Sequence, residues 1–173
     1  KEVEDLVKEV KERIEESHKE NKRILDKARR VVERVETDLR RILEESKRTV
    51  EDIERRKERI DEREVEKRLE ELHRETKKLA DKLRDELRKL LEDIERELRE
   101  NEERLRRLLE KVERDGVDEE MKKAVDELIE RNKRSSDRVR EEAKKLIDRL
   151  EEVIEKVERD DEKLVRDLEE ELR

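Results

Sequence analysis

Between Val65 and Val112 the apolar residues recur at a spacing that suits one kind of backbone. Val65, Leu69, Leu72, Leu79, Leu83, Leu87, Leu90, Ile94, Leu98, Leu105, Leu108 and Val112 mark the stripe, with Thr76 and Asn101 filling two of its positions. Thirteen steps cover 47 residues, about 3.6 residues a step. That is the period of a straight α-helix, whereas a strict supercoiling seam repeats every 3.5 residues. Ala80, Leu91 and Leu109 widen the stripe to the face a helix needs when it packs against two neighbours.

Periodicity decides how the composition is read. Of 173 residues, 64% are charged and 29% hydrophobic, a balance that in an aperiodic chain means disorder, because too little surface is buried to offset ordering entropy. With a helical repeat in place, the same Glu, Lys, Arg and Leu content predicts long packed helices. There is no Pro, no aromatic residue and no Cys, and the core candidates are almost all Leu, Val and Ile. Without Cys there is neither a disulfide framework nor a thiolate metal site. The 51 basic and 59 acidic residues give a net charge of -8 with the signs interspersed. No cationic stripe is present for a nucleic-acid backbone. No apolar run approaches the roughly 20 residues of a membrane span, and no targeting segment is evident, so a soluble chain of unspecified compartment is expected.

Two boundaries divide the pattern. The only Gly lies in Asp115-Gly116-Val117-Asp118, where Gly116 suits a left-handed C′ position and Asp118 can cap a following helix that opens with Glu119 and Glu120. Between Ile53 and Val65 only Ile60 is apolar. Asp61 and Glu64 have capping-box spacing there, and Ile60 and Val65 are placed as a hydrophobic staple, so a tight turn is expected near residues 58–61. The third stripe is read as Met121, Val125, Leu128, Val139, Leu146, Leu150, Val153, Val157, Leu164 and Leu168. The expected fold is all-α: one domain over residues 1–173, with helices at about 2–58, 62–115 and 118–172. Each helix is roughly 80 Å long. Short loops make neighbours antiparallel, giving an elongated up-down-up three-helix bundle, coiled-coil-like but with nearly straight helices.

Twelve residues are polar without belonging to Asp, Glu, Lys or Arg, and hairpin geometry gathers eleven of them. Equal rise per residue means that facing residue numbers total about 120 across the first bend and about 233 across the second. Asn21 and Asn101 meet the first relation, Asn101 and Asn132 the second. Ser17, His18, Ser135 and Ser136 lie within a turn of that level. Ser46 and His73 define a second level, which Thr49, Thr76 and Asp161 join; Thr37, on an outward face, is left over. The apolar stripes are interrupted at these levels, and a buried polar group without a partner costs about 1–3 kcal/mol, so two hydrogen-bond networks are expected. Sliding a helix by a heptad would set Asn against Leu, so such levels select register more than they add stability. A hydrogen bond between His73 and Asp161 is part of this expectation.

Other chemistry finds little support. Glu15 to His18 and Glu70 to His73 have the Glu-x-x-His spacing of di-iron bundles, but the two histidines fall in different levels, about 40 Å apart. Ser17 and His18 are helix neighbours that point about 100° apart, which is not a nucleophile-base arrangement. No glycine-rich phosphate loop occurs. No catalytic residue, metal site, cofactor or small-molecule ligand is expected.

The aliphatic core, the Glu, Lys, Arg and Asp surface, the absence of Gln and aromatics, the near-equal helices, the single Asp-Gly loop and the confinement of Asn, Ser, Thr and His to levels together resemble de novo designed helical bundles with buried hydrogen-bond networks. The likeness covers the whole chain; the bend near residues 58–61 departs from it in having no Gly. It implies a structural scaffold or assembly module without natural biochemical activity, needing no partner or pairing only with itself or another designed helical chain. The alternative is a protein-binding subunit of a designed homo- or hetero-oligomer, its core completed by a partner helix; stripe width does not separate the two.

Overall fold

The computed structural model describes residues 2–114 and 118–172. Three helices account for nearly all of them: α1 (Glu2–Arg55), α2 (Glu62–Arg114) and α3 (Glu119–Leu172). The Gly116 bend lies outside the described residues, as does the expected helical position at Asp115. The fold is an all-α three-helix bundle in which α1 and α2 run antiparallel and α3 returns parallel to α1.

The first bend begins earlier than the spacing suggested. α1 ends at Arg55, not near residue 58, and the chain tightens through bonds from Arg56 N to Ile53 O and from Lys57 N to Glu54 O before Ile60 N reaches Arg56 O. Past Ile53 no apolar residue occurs before Ile60, so another helical turn would gain charged surface and no burial. Asp61 then opens α2, its carbonyl accepting the Val65 amide at 3.1 Å, while Ile60 packs with Val65 in one cluster as a staple does. Asp118 caps α3, with its Oδ1 accepting the Met121 amide at 2.9 Å and its carbonyl accepting that of Lys122. α3 therefore starts at Glu119, one residue later than expected.

The chain forms two compact units, each containing part of all three helices. Unit 1 comprises residues 1–30 and 90–145. Val10 and Ile14 of α1, Leu105 and Val112 of α2 and Val125 of α3 form an apolar cluster there. Lys27 pairs with Glu97 and Arg29 reaches Glu142, so rising numbers in α1 meet falling numbers in α2 and rising numbers in α3. Unit 2 comprises residues 31–89 and 146–173. Its cluster is Val50 and Ile53, Val65 and Leu69, and Leu168. Arg34 to Glu86 and Arg68 to Asp52 again join α1 and α2 in antiparallel order, and Arg84 to Glu158 joins α2 and α3.

Three stripe positions are corrected. In α2 Ala80 is buried and Leu79 is 38% exposed; in α3 Ile154 is fully buried and Val153 is 38% exposed, with Ala143 and Ile147 in the core rather than Leu146. In all three places two apolar residues are adjacent. A period of 3.6 admits a step of three or four, and only the direction of the neighbouring helix decides between them.

Candidate functional site

In unit 1 one polar level crosses all three helices. Ser17, Asn21, Asn101, Asn132 and Ser136 are buried, Ser135 is half-buried and His18 is exposed at the edge. Asn101 of α2 is the hub: its amide donates to Ser17 Oγ at 2.7 Å, to Asn21 Oδ1 at 3.2 Å and to the Ser17 carbonyl at 3.4 Å. The Ser17 hydroxyl in turn donates to Asn132 Oδ1 on α3. Asn21 Nδ2 donates to Ser135 Oγ at 3.3 Å and Ser136 Oγ at 3.4 Å, and His18 Nδ1 shares a 3.3 Å hydrogen bond with Ser135 Oγ. Each carboxamide carries both donors and an acceptor, and each hydroxyl can do both, so carboxamides and hydroxyls suffice to link the three helices. One heptad away in one direction lie Ala28, Ile94 and Val139, all buried.

Arg140, which the sequence reading passed over, flanks this level. Its guanidinium approaches Glu95 Oε2 at 3.0 Å and Glu102 Oε1 at 2.7 Å, joining α3 to α2, and also reaches Asp137. Glu102 Oε1 is buried without a well-directed hydrogen bond, so its match is the charge of Arg140. Partial burial works against the charge on Arg140, but Glu102 and Glu95 outweigh it and raise its pKa above the ordinary arginine value. The relation that sets Asn101 opposite Asn132 also sets Glu95 near residue 138, which was a signal for this pair.

The second level, in unit 2, is built differently. Ser46, Thr76 and Asp161 are buried, at 2%, 4% and 3% exposure. They are the core positions one heptad from Ile53, Leu69 and Leu168, which pack in one cluster, and one heptad on the other side lie the buried Leu39, Leu83 and Ile154. Ser46 and Asp161 share the 115-residue separation of the bonded pair Ser17 and Asn132. Two buried atoms here have no hydrogen-bond partner, Ser46 Oγ and Asp161 Oδ1.

Thr49 and His73 do not join this level. Thr49 Oγ1 donates to the Glu45 carbonyl of its own helix at 2.9 Å, as Thr37 does to Glu33. His73 is exposed and lines a groove with Glu70, Glu162 and Val165, and no bond links it to Asp161 among the described residues. Both residues stand at the right height along their helices but on faces turned away from the triple contact, and burying an imidazole costs more than leaving it wet.

Among the described residues no group of three or more His, Asp or Glu side chains could hold a metal ion, and no helix is long and apolar enough to cross a membrane. Of the half-buried ion pairs, Arg68 donates to Asp52 at 2.9 Å and holds its carboxyl below the usual range, and Glu158, accepting from Arg84 at 2.6 Å, raises that guanidinium.

No protein-family model matches the chain, and no curated protein does. It is similar in structure to a solved protein described as a "Computationally designed three helix bundle", with 20% sequence identity, a TM-score of 0.49, and coverage of 99% of this chain and 84% of the other.

Proposed function

We propose that this chain is a structural scaffold of the designed kind, with no catalytic role, whose helix register is selected by the polar level around Asn101. The observation that carries this reading is one side chain of α2 donating to two residues of α1, one of which donates on to α3. Apolar layers of Leu, Ile and Val are nearly interchangeable, so a helix sliding by a heptad would lose little burial. At the Asn101 level the same slide strands three carboxamides among aliphatic side chains, each at a cost of about 1–3 kcal/mol. The uniformly aliphatic core and mixed-charge surface support the designed origin. On this reading the chain folds without a partner and binds no nucleic acid, membrane or small molecule.

The test is Asn101→Leu together with solution mass. Register selection predicts that the parent is a monomer with one set of amide resonances, and that the variant remains helical but shows several sets or a mixture of masses. A variant with one clean conformer and unchanged mass would refute the role given to Asn101. A parent that is a stable dimer or higher oligomer would favour a subunit whose core a second chain completes.

A further inference from the structure

We propose that the level formed by Ser46, Thr76 and Asp161 is a binding site for one internal water molecule. Three observations converge on it. Ser46 Oγ and Asp161 Oδ1 are both buried and unpartnered, in residues only 2% and 3% exposed. They belong to helices whose core residues meet at a separation of 115, the separation at which Ser17 and Asn132 bond directly and at which Ile53 and Leu168 share a cluster. The Ser46 hydroxyl also forgoes the bond to its own helix that Thr37 and Thr49 make, which leaves its proton for the interior.

Space and chemistry identify the occupant. Relative to the Leu and Ile levels on either side, Ser46 lacks two side-chain heavy atoms and Thr76 lacks one, whereas Asp161 has as many as Leu. Three missing heavy atoms free room for at least one water, whose share of liquid volume is about 30 Å³. The unmatched set contains a donor, the Ser46 O–H, and an acceptor, Asp161 Oδ1. A water accepts from the first and donates to the second, with Thr76 as a further partner, which makes the two to four polar contacts a buried water needs. A metal cation would match the carboxylate but leave the Ser46 proton without an acceptor. The amide that closes the other level has no counterpart here: Leu72 stands 29 residues before Asn101, as Ser17 and Asn132 stand 29 residues before Ser46 and Asp161.

Two measurements on the full chain decide it. In crystals grown in rubidium chloride, the expected result is one density peak about 2.7–3.2 Å from both Ser46 Oγ and Asp161 Oδ1, with no anomalous signal. A rubidium peak, or a direct Ser46 to Asp161 bond with nothing between, would overturn the proposal. In solution, a long-lived water should give NOE cross-peaks to amide protons near residues 46 and 161. Those cross-peaks should be lost in Ser46→Leu, which fills the space, and in Leu72→Asn, which supplies an amide in its place. Cross-peaks surviving both substitutions would place the water elsewhere and overturn the assignment.

Discussion

The level around Asn101 and the level around Asp161 start from the same pair, a serine on α1 facing an Asn or Asp on α3 at a separation of 115 residues, and they end differently. Around Asn101 the remaining helix contributes a carboxamide, and Asn21, Ser135 and Ser136 extend the hydrogen bonds across all three helices. In the other level Leu72, Val50 and Val165 stand at the equivalent positions, 29 residues removed, and the α3 member is a carboxylate that only accepts. With Leu72, Val50 and Val165 in place of two amides and a hydroxyl, and a carboxylate on α3, the second level lacks the partners that link the first, and Ser46 Oγ and Asp161 Oδ1 are left unmatched. Buried polarity stabilises or destabilises a bundle according to whether donors and acceptors balance at each level, not according to how much of it there is.

That contrast is broken most severely by Asn101→Asp, which puts an acceptor-only carboxylate at the centre of the first level. The change is isosteric, yet three donations vanish and an unpaired carboxylate is buried; a loss of about 3 kcal/mol or more is expected in denaturant unfolding. The cleaner comparison places leucine at Asn101 and at Asp161. Asn101→Leu should cost about 1–3 kcal/mol, since Asn21 Oδ1 loses its donor. Asp161→Leu should be neutral or raise the melting midpoint, since it removes an unmatched oxygen and extends an aliphatic layer. Equal signs for the two would end the distinction drawn here.

A smaller effect is expected in native-state hydrogen exchange, where amides near residues 46, 76 and 161 should open at lower free energy than those near 17, 101 and 132. The smallest concerns pH. Arg68 depresses the Asp52 carboxyl, so whatever stability the pair adds is present above the ordinary carboxylate range and lost as pH falls through the depressed value. The pair is largely open to solvent screening, and Asp52→Asn should change the acid limb of a pH-stability profile only slightly, with no change at neutral pH and above beyond that of the lost pair itself.

Height along the axis is legible in this sequence because equal rise per residue ties the three helices together; three helices, their order and the Ile60 and Asp118 devices at their starts follow from spacing alone. Direction around each helix is less so. Asn101 interrupts a clean stripe, which fixes its face, whereas His73 and Thr49 lie a residue or more off the stripe and turn to solvent or to their own backbone. The same ambiguity exchanged Leu79 with Ala80 and Val153 with Ile154. The early end of α1 reflects an energetic balance, helical propensity against the absence of anything to bury, that no periodicity expresses. Arg140 was hidden among 51 basic residues, and only its place beside the polar level sets it apart.

The most direct measurement is side-chain amide exchange by NMR on the parent chain. The carboxamide protons of Asn101 and Asn21 should be strongly protected and show NOEs to Ser17 and to Ser135 or Ser136 across helix boundaries. Carboxamides that exchange at the rate of a free asparagine, without contacts between helices, would contradict the account at its centre.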